Sequence, residues 1–227
     1  MIIKIGVISL FFILAAILAW YFLASRDGVR EPVSAILEAF GFGLVAVAIA
    51  LPLELLFIPA ATRYGLAATP SLAQALRFSL VIALIEEAAK FLPLAMFVNS
   101  RRYFNRVVDG VIYFALAGLA FGLIENILYV WRYGVEVGLY RAVILIFFHA
   151  ATAGIIGYYF ARAKVEGKSL AKTFVVLASM VIIHAIYDTG LLLGKPVTTT
   201  VSLGITALLN IALIVYFKQA RRIDKIN

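Results

Sequence analysis

The residues of this 227-residue chain that could do chemistry are few and are set in apolar surroundings. They are Glu86, Glu87 and Lys90, Glu125 with Asn126, His149, and His184 with Asp188, and the chain has only 2 histidines. Placing an ionisable side chain at bilayer depth costs about 2.5–3.5 kcal/mol on insertion scales, so such groups mark function by default. Their spacing is helical: Glu86 and Lys90 are i, i+4, Glu87 and Lys90 are i, i+3, and His184 and Asp188 are i, i+4. Each set therefore shares a helix face.

The chemistry this set supports is hydrolysis within a membrane. Two imidazoles and a carboxylate form a zinc shell with a position left for water, which a nearby glutamate deprotonates and whose proton it later hands to the leaving amine. Glu86 and Glu87 suit the base, because adjacent acids in a low dielectric cannot both ionise cheaply. Lys90 could hold one of them as a carboxylate or stabilise an oxyanion. Without metal, the same groups supply a glutamate base and a histidine oxyanion donor, which makes His149 and His184 catalytic candidates as well.

The elements that position these residues follow from composition. Hydrophobic residues make up 64% of the chain and charged residues 14%, against about 45–50% and 25% in a soluble domain. The chain reads as one all-α, polytopic membrane domain over 1–227, its motif-bearing core at about 70–194, with about seven transmembrane helices around a buried polar site. The spanning runs are 2–24, 33–60, 72–98, 107–131, 140–161, 170–194 and 197–217, each near the 20 or so residues a crossing needs. The first is too long and too poor in early cations for a signal peptide, and no small-x-small cleavage site follows it. The absence of cysteine excludes disulfides and thiolate metal sites.

The net charge of +8 sits in short loops between apolar runs, as the positive-inside rule expects, and gives no reason to invoke nucleic acid. Arg26, Arg30, Arg101, Arg102, Arg106, Arg162, Lys164, Lys168, Lys172, Lys218, Arg221, Arg222 and Lys225 fall on one side. Lys4, Arg63, Arg77, Arg132, Arg141 and Lys195 fall on the other. The cation-rich side is expected to be cytoplasmic, with the N-terminus outside, the C-terminus inside and the protein in a prokaryotic plasma membrane. Counted from the cation-poor side at about 1.5 Å per residue, Glu86, Glu125, His149, His184 and Asp188 lie at depths of roughly 10–16 Å. Four helices thus bring ionisable groups to one level.

Local signals accompany this plan. Ser71 and Gln74 have the spacing of a capping box opening the third helix. Pro52, Pro59 and Pro93 fall within or at the ends of helices and each frees a carbonyl. Gly118 and Gly122 offer a small-xxx-small surface for close helix approach, and Phe121 lies one turn before Glu125. Glu54, at similar depth, reads as structural or supporting. Glu38 and Asp109 read as end-of-helix groups that snorkel or cap, with Asp109-Gly110 starting the fourth helix.

Together the motifs resemble a known family. Glu86-Glu87-Ala-Ala-Lys90 reads as EExxK, Phe121-Gly-Leu-Ile-Glu125-Asn126 as FxxxEN and His184-Ala-Ile-Tyr-Asp188 as HxxxD, with His149 between. In this order the chain resembles the PrsW intramembrane proteases, and distantly the CAAX-processing endopeptidases of the Rce or Abi type. The resemblance implies a metallopeptidase that cuts a membrane-anchored protein, as one bacterial member cuts an anti-sigma factor. It implies Glu86 and Glu87 as catalytic, and Glu125, His149, His184 and Asp188 as ligands of zinc or another divalent metal or as their supports, beside Lys90 and Asn126. The chain departs from the CAAX group, which has EExxxR, a histidine where Glu125 stands and usually Asn in place of Asp188, so prenyl-protein processing is not expected. A proton- or ion-coupled transporter is the alternative, since buried Glu, His and Lys also build relays; no inverted repeat supports it. A non-catalytic membrane scaffold is the third reading.

Overall fold

A computed structural model describes residues 2–24, 31–57 and 70–226, and its regular structure is helical throughout. Among the described residues seven helices follow in chain order: α1 (Ile2–Ala24), α2 (Val33–Phe57), α3 (Leu72–Asn99), α4 (Val107–Tyr133), α5 (Val135–Val165), α6 (Ala171–Leu192) and α7 (Pro196–Ile226). Each contains or overlaps one of the seven apolar runs of the sequence, the end of the second run, 58–60, lying outside the described residues. Four stretches, Val33–Phe57, Val107–Trp131, Ala171–Leu192 and Pro196–Lys225, are by length and composition able to cross a membrane. α3 has the length, at 28 residues, but carries Arg77, Glu86, Glu87 and Lys90. The outward side chains of the bundle are large and apolar, among them Leu44, Leu56, Leu84, Met96, Ile182 and Leu208, which suits lipid rather than water as solvent. Pro59 and the loop cations Arg26, Arg30 and Arg63 lie outside the described residues.

Capping decides where α3 starts. Ser71 is its N-cap: the Gln74 N–H donates to Ser71 Oγ at 3.3 Å, and the Ser71 N–H donates to Gln74 Oε1 at 3.0 Å, completing the expected box. Two helices outrun their apolar segments. α5 begins at Val135, separated from α4 by Gly134 alone, whose φ of 92° breaks the helix in the left-handed region open to glycine. α7 runs on to Ile226, well past the apolar run that ends near 217.

α4 is the centre of the bundle. It packs against α1, α2, α3, α5 and α7, and within Val107–Trp131 94% of its most apolar 18-residue window is buried. Its closest partner is α5, and glycines allow the approach. A Cβ on Gly110 would strike the Gly157 carbonyl, and one on Gly118 would strike the His149 carbonyl oxygen and come within 2.9 Å of Ala153 Cβ. The small-residue surface read around Gly118 is thus what brings α5, with His149, against α4. Gly43 of α2 meets Ala117 and Ala120 of α4 in the same way. Close van der Waals packing of this kind is what holds helices together in lipid, where burial of apolar surface gains little.

At the cation-rich end, polar groups form a clasp. The Asp109 carboxylate accepts the backbone N–H of Asn105 at 3.1 Å and of Arg106 at 2.9 Å, so Asp109 caps α4, as its position near the helix start suggested. Asp224, near the end of α7, accepts the next two N–H groups, from Val107 and Val108, at 2.8 Å each. Two carboxylates thereby satisfy four successive backbone N–H groups, three of them orphan donors of the helix start. The Arg106 guanidinium donates to Asp109 Oδ1 and to Glu31 Oε1, each at 2.7 Å. The Tyr113 hydroxyl donates to Glu31 and that of Tyr103 to Glu38. The Tyr103 hydroxyl, in the loop before α4, is held well above its ordinary pKa by burial and by the Glu38 carboxylate.

Candidate active site

The other polar cluster is assembled from α3, α4, α5 and α6. Glu86, Glu87 and Lys90 stand on the buried side of α3; His149 and His184 are each no more than 2% exposed. Glu125 and Asp188 lie at its margin, with side chains 17% and 15% exposed.

Spacing alone left open which glutamate Lys90 meets. It is Glu87: Lys90 Nζ donates to Glu87 Oε1 at 2.6 Å, and the same ammonium reaches His149 Nδ1 at 2.9 Å. An ammonium can only donate, so His149 Nδ1 accepts, and its Nε2–H donates to Glu125 Oε2 at 2.8 Å. The Lys90 ammonium lies over the Phe121 ring, with Nζ 5.1 Å from its centroid. His184 is held differently. Its Nδ1 donates to Glu87 Oε1 at 2.8 Å, while its Nε2 lies 3.4 Å from Asp188 Oδ2 and 3.7 Å from Glu86 Oε2. Asp188, one turn beyond His184, thus lies beside its ring, as the i, i+4 spacing allows.

Glu86 faces both imidazoles. Its Oε2 is 3.7 Å from His184 Nε2 and 4.0 Å from His149 Nδ1, is buried, and makes no hydrogen bond among the described residues. A buried carboxylate oxygen left without a donor is costly. It is the kind of group that a substrate water or a cation satisfies. Glu86, His149 and His184 offer one ligand atom each, all within 4.8 Å of one another, and this donor set of nitrogen and oxygen suits a divalent ion such as zinc.

Aromatic rings hold the imidazoles from the apolar side. Phe148 stacks on Tyr187 with centroids 4.1 Å apart and meets His184 edge-on at 4.9 Å. Phe121 meets His149 edge-on at 5.1 Å. Asn126 turns back on its own helix, its Nδ2 donating to the Gly122 carbonyl at 2.7 Å, and its buried Oδ1 has no partner among the described residues. Glu54 lies close enough for its charge to act on Glu86.

One member escaped the sequence reading. Thr152, fully buried on α5, has its hydroxyl 3.3 Å from Glu87 Oε1 and 3.2 Å from the His149 carbonyl oxygen. Its only signal in the sequence is its place three residues after His149 in an otherwise apolar helix.

Comparison with known proteins gives the same direction as the geometry. The family model described as "PrsW family intramembrane metalloprotease" matches residues 31–217. The Protease PrsW of Geobacillus kaustophilus is 34% identical over 179 residues, covering 77% of this chain and 74% of that protein. Those of Clostridioides difficile and Bacillus subtilis are 28% and 27% identical; they cover 78% and 76% of this chain, and 75% and 76% of their own lengths. No solved structure matches the chain.

Proposed function

Taking as premise that this chain belongs to the PrsW family of intramembrane metalloproteases, we propose that it hydrolyses a peptide bond in a membrane-anchored protein by means of a Glu86-activated water. The observation that supports this most is the unpartnered Glu86 Oε2 between two imidazoles. A carboxylate in that position takes the proton of the attacking water and returns it to the leaving amine. His184, with Nε2 toward Glu86 and Asp188, and His149 are the residues that would hold a divalent cation, Asp188 beside His184 and Glu125 behind His149. Such a cation, when bound, makes water acidic and polarises the scissile carbonyl. For His149 Nδ1 to serve it, Lys90 turns wholly to Glu87. Glu125 orients the His149 ring through Nε2–H, the role carboxylates commonly play behind a ligating imidazole.

The cation-rich end faces the cytoplasm in this reading, and the site lies in the outer half of the membrane. The scissile bond is then in the extracytoplasmic juxtamembrane part of the substrate, an anti-sigma factor being one candidate. The test is the full chain, purified into lipid nanodiscs and given a library of membrane-anchored peptides. Wild type should cleave, and Glu86→Gln should lose at least about 10²-fold in kcat. Cleavage undiminished in Glu86→Gln would refute the reading. Elemental analysis of active protein should find a stoichiometric divalent metal; full activity without one would reject the metal-dependent version alone.

A further inference from the structure

Glu87 and Glu86 are neighbours in sequence but not in circumstance. Among the described residues neither Glu86 Oε2 nor Glu87 Oε2 has a donor, but Glu87 Oε1 is approached by three: Lys90 Nζ at 2.6 Å, His184 Nδ1 at 2.8 Å and Thr152 Oγ1 at 3.3 Å. A carboxylate oxygen so surrounded has little capacity left to take a proton from water. What it can do is fix its donors. Because Glu87 accepts at Nδ1, His184 carries its neutral-state proton there, and its Nε2 lone pair faces Glu86 and Asp188.

We propose that Glu87 and Thr152 are positioning residues that lock His184 in the Nδ1–H tautomer, Thr152 by steadying the Glu87 carboxylate from the α5 side. The inference rests on the protease reading for its kinetic consequence, but not for its structural one. The Thr152 hydroxyl has one proton and two acceptors in reach, Glu87 Oε1 and the His149 carbonyl. A threonine serving only its own helix would bond the carbonyl, and its replacement by valine would leave Glu87 and His184 untouched. A threonine that steadies Glu87 would not be so replaceable.

The experiment has two arms on the full chain in nanodiscs. With ring nitrogens labelled, the 2 histidines give a spectrum simple enough to assign through His149→Gln. Wild-type His184 should carry its proton on Nδ1, and Glu87→Gln should populate the other tautomer, since an amide presents both a donor and an acceptor. A wild-type His184 protonated on Nε2 would overturn the proposal. In the second arm, Thr152→Val should lower kcat about fivefold with KM unchanged, the effect of one hydrogen bond of ordinary strength, and Thr152→Ser should restore it. A serine variant no better than valine, or a valine variant with unaltered kcat, would remove Thr152 from the role. Thermal melting of each variant shows that it is folded. Should wild type cleave no membrane-anchored peptide while His184 shows the Nδ1–H tautomer, the protease reading falls and the positioning of His184 stands.

Discussion

The two ends of α4 carry the same kinds of residue with opposite outcomes. At the cation-rich end, Glu31, Asp109 and Asp224 all find donors, and an arginine, two tyrosines' worth of hydroxyl chemistry and four backbone N–H groups are spent on them and on Glu38. In the other half, Glu86 Oε2 and Glu87 Oε2 are buried without a donor among the described residues. The contrast teaches that burial of charge does not by itself separate structure from function. Complete satisfaction marks a clasp; deliberate incompleteness beside two imidazoles marks a place where something else must bind.

The comparison can be broken by mutation, and the largest effect should come from Glu86. Its change to Gln should end cleavage yet leave the melting temperature unchanged or raised, because it removes a buried charge whose Oε2 has no donor among the described residues. A melting temperature markedly lowered by Glu86→Gln would class the two ends together. Arg106→Leu should do the reverse. Stripping Glu31 and Asp109 of their guanidinium should cost about 3 kcal/mol, the low end for breaking a buried pair because Arg106 is partly exposed, with kcat per folded molecule almost unaltered. Denaturant titration and active-site-normalised kinetics would show it.

Paired glycine changes sharpen the contrast. Gly110→Ala and Gly118→Ala both drive a methyl into a backbone carbonyl of α5 and should each cost about 2 kcal/mol. Only Gly118→Ala, which pushes on His149, should also lower kcat; equal kinetic damage from both would mean the site is not locally built. Asp224→Ala, which leaves two N–H groups of α4 uncapped, should cost about 1 kcal/mol in chemical denaturation.

The smallest effect belongs to the loop after α5. Lys168 and then Arg162 hold the Glu166 carboxyl below its ordinary value. A lowered folded pKa contributes stability above the unfolded value, near 4.3, and loses it as pH falls through the folded one. Glu166→Gln should therefore cost no more than about 0.5 kcal/mol at neutral pH, and nothing in strong acid, as a surface pair allows.

Much of this could be read from the residues because lipid is an unforgiving solvent. Each apolar run became a helix, and each ionisable group inside one had to have a reason, which is how Glu86, Glu125, His149, His184 and Asp188 could be set at one level. What stayed hidden depended on contacts that spacing does not encode. Lys90 stands at helical distance from both Glu86 and Glu87, and only the position of His149 and His184 shows that Glu87 takes it. Thr152 looks like any small residue of an apolar helix until a carboxylate from α3 is beside it. Asp224 lies 116 residues after the Val108 N–H that it accepts, in a charged tail that the sequence presents merely as a cytoplasmic end.

The Glu87 oxygen that gathers Lys90, Thr152 and His184 joins residues 65 and 97 positions apart along the chain. During synthesis from the N-terminus, α3 and α5 are made before α6, so a nascent chain possesses the glutamate pair and one imidazole but not the second. In the mechanism proposed, hydrolytic competence therefore arrives late, with the sixth helix, since a chain interrupted before His184 lacks one of the two imidazoles. In that mechanism the long-range hub makes the sixth helix a condition for cutting.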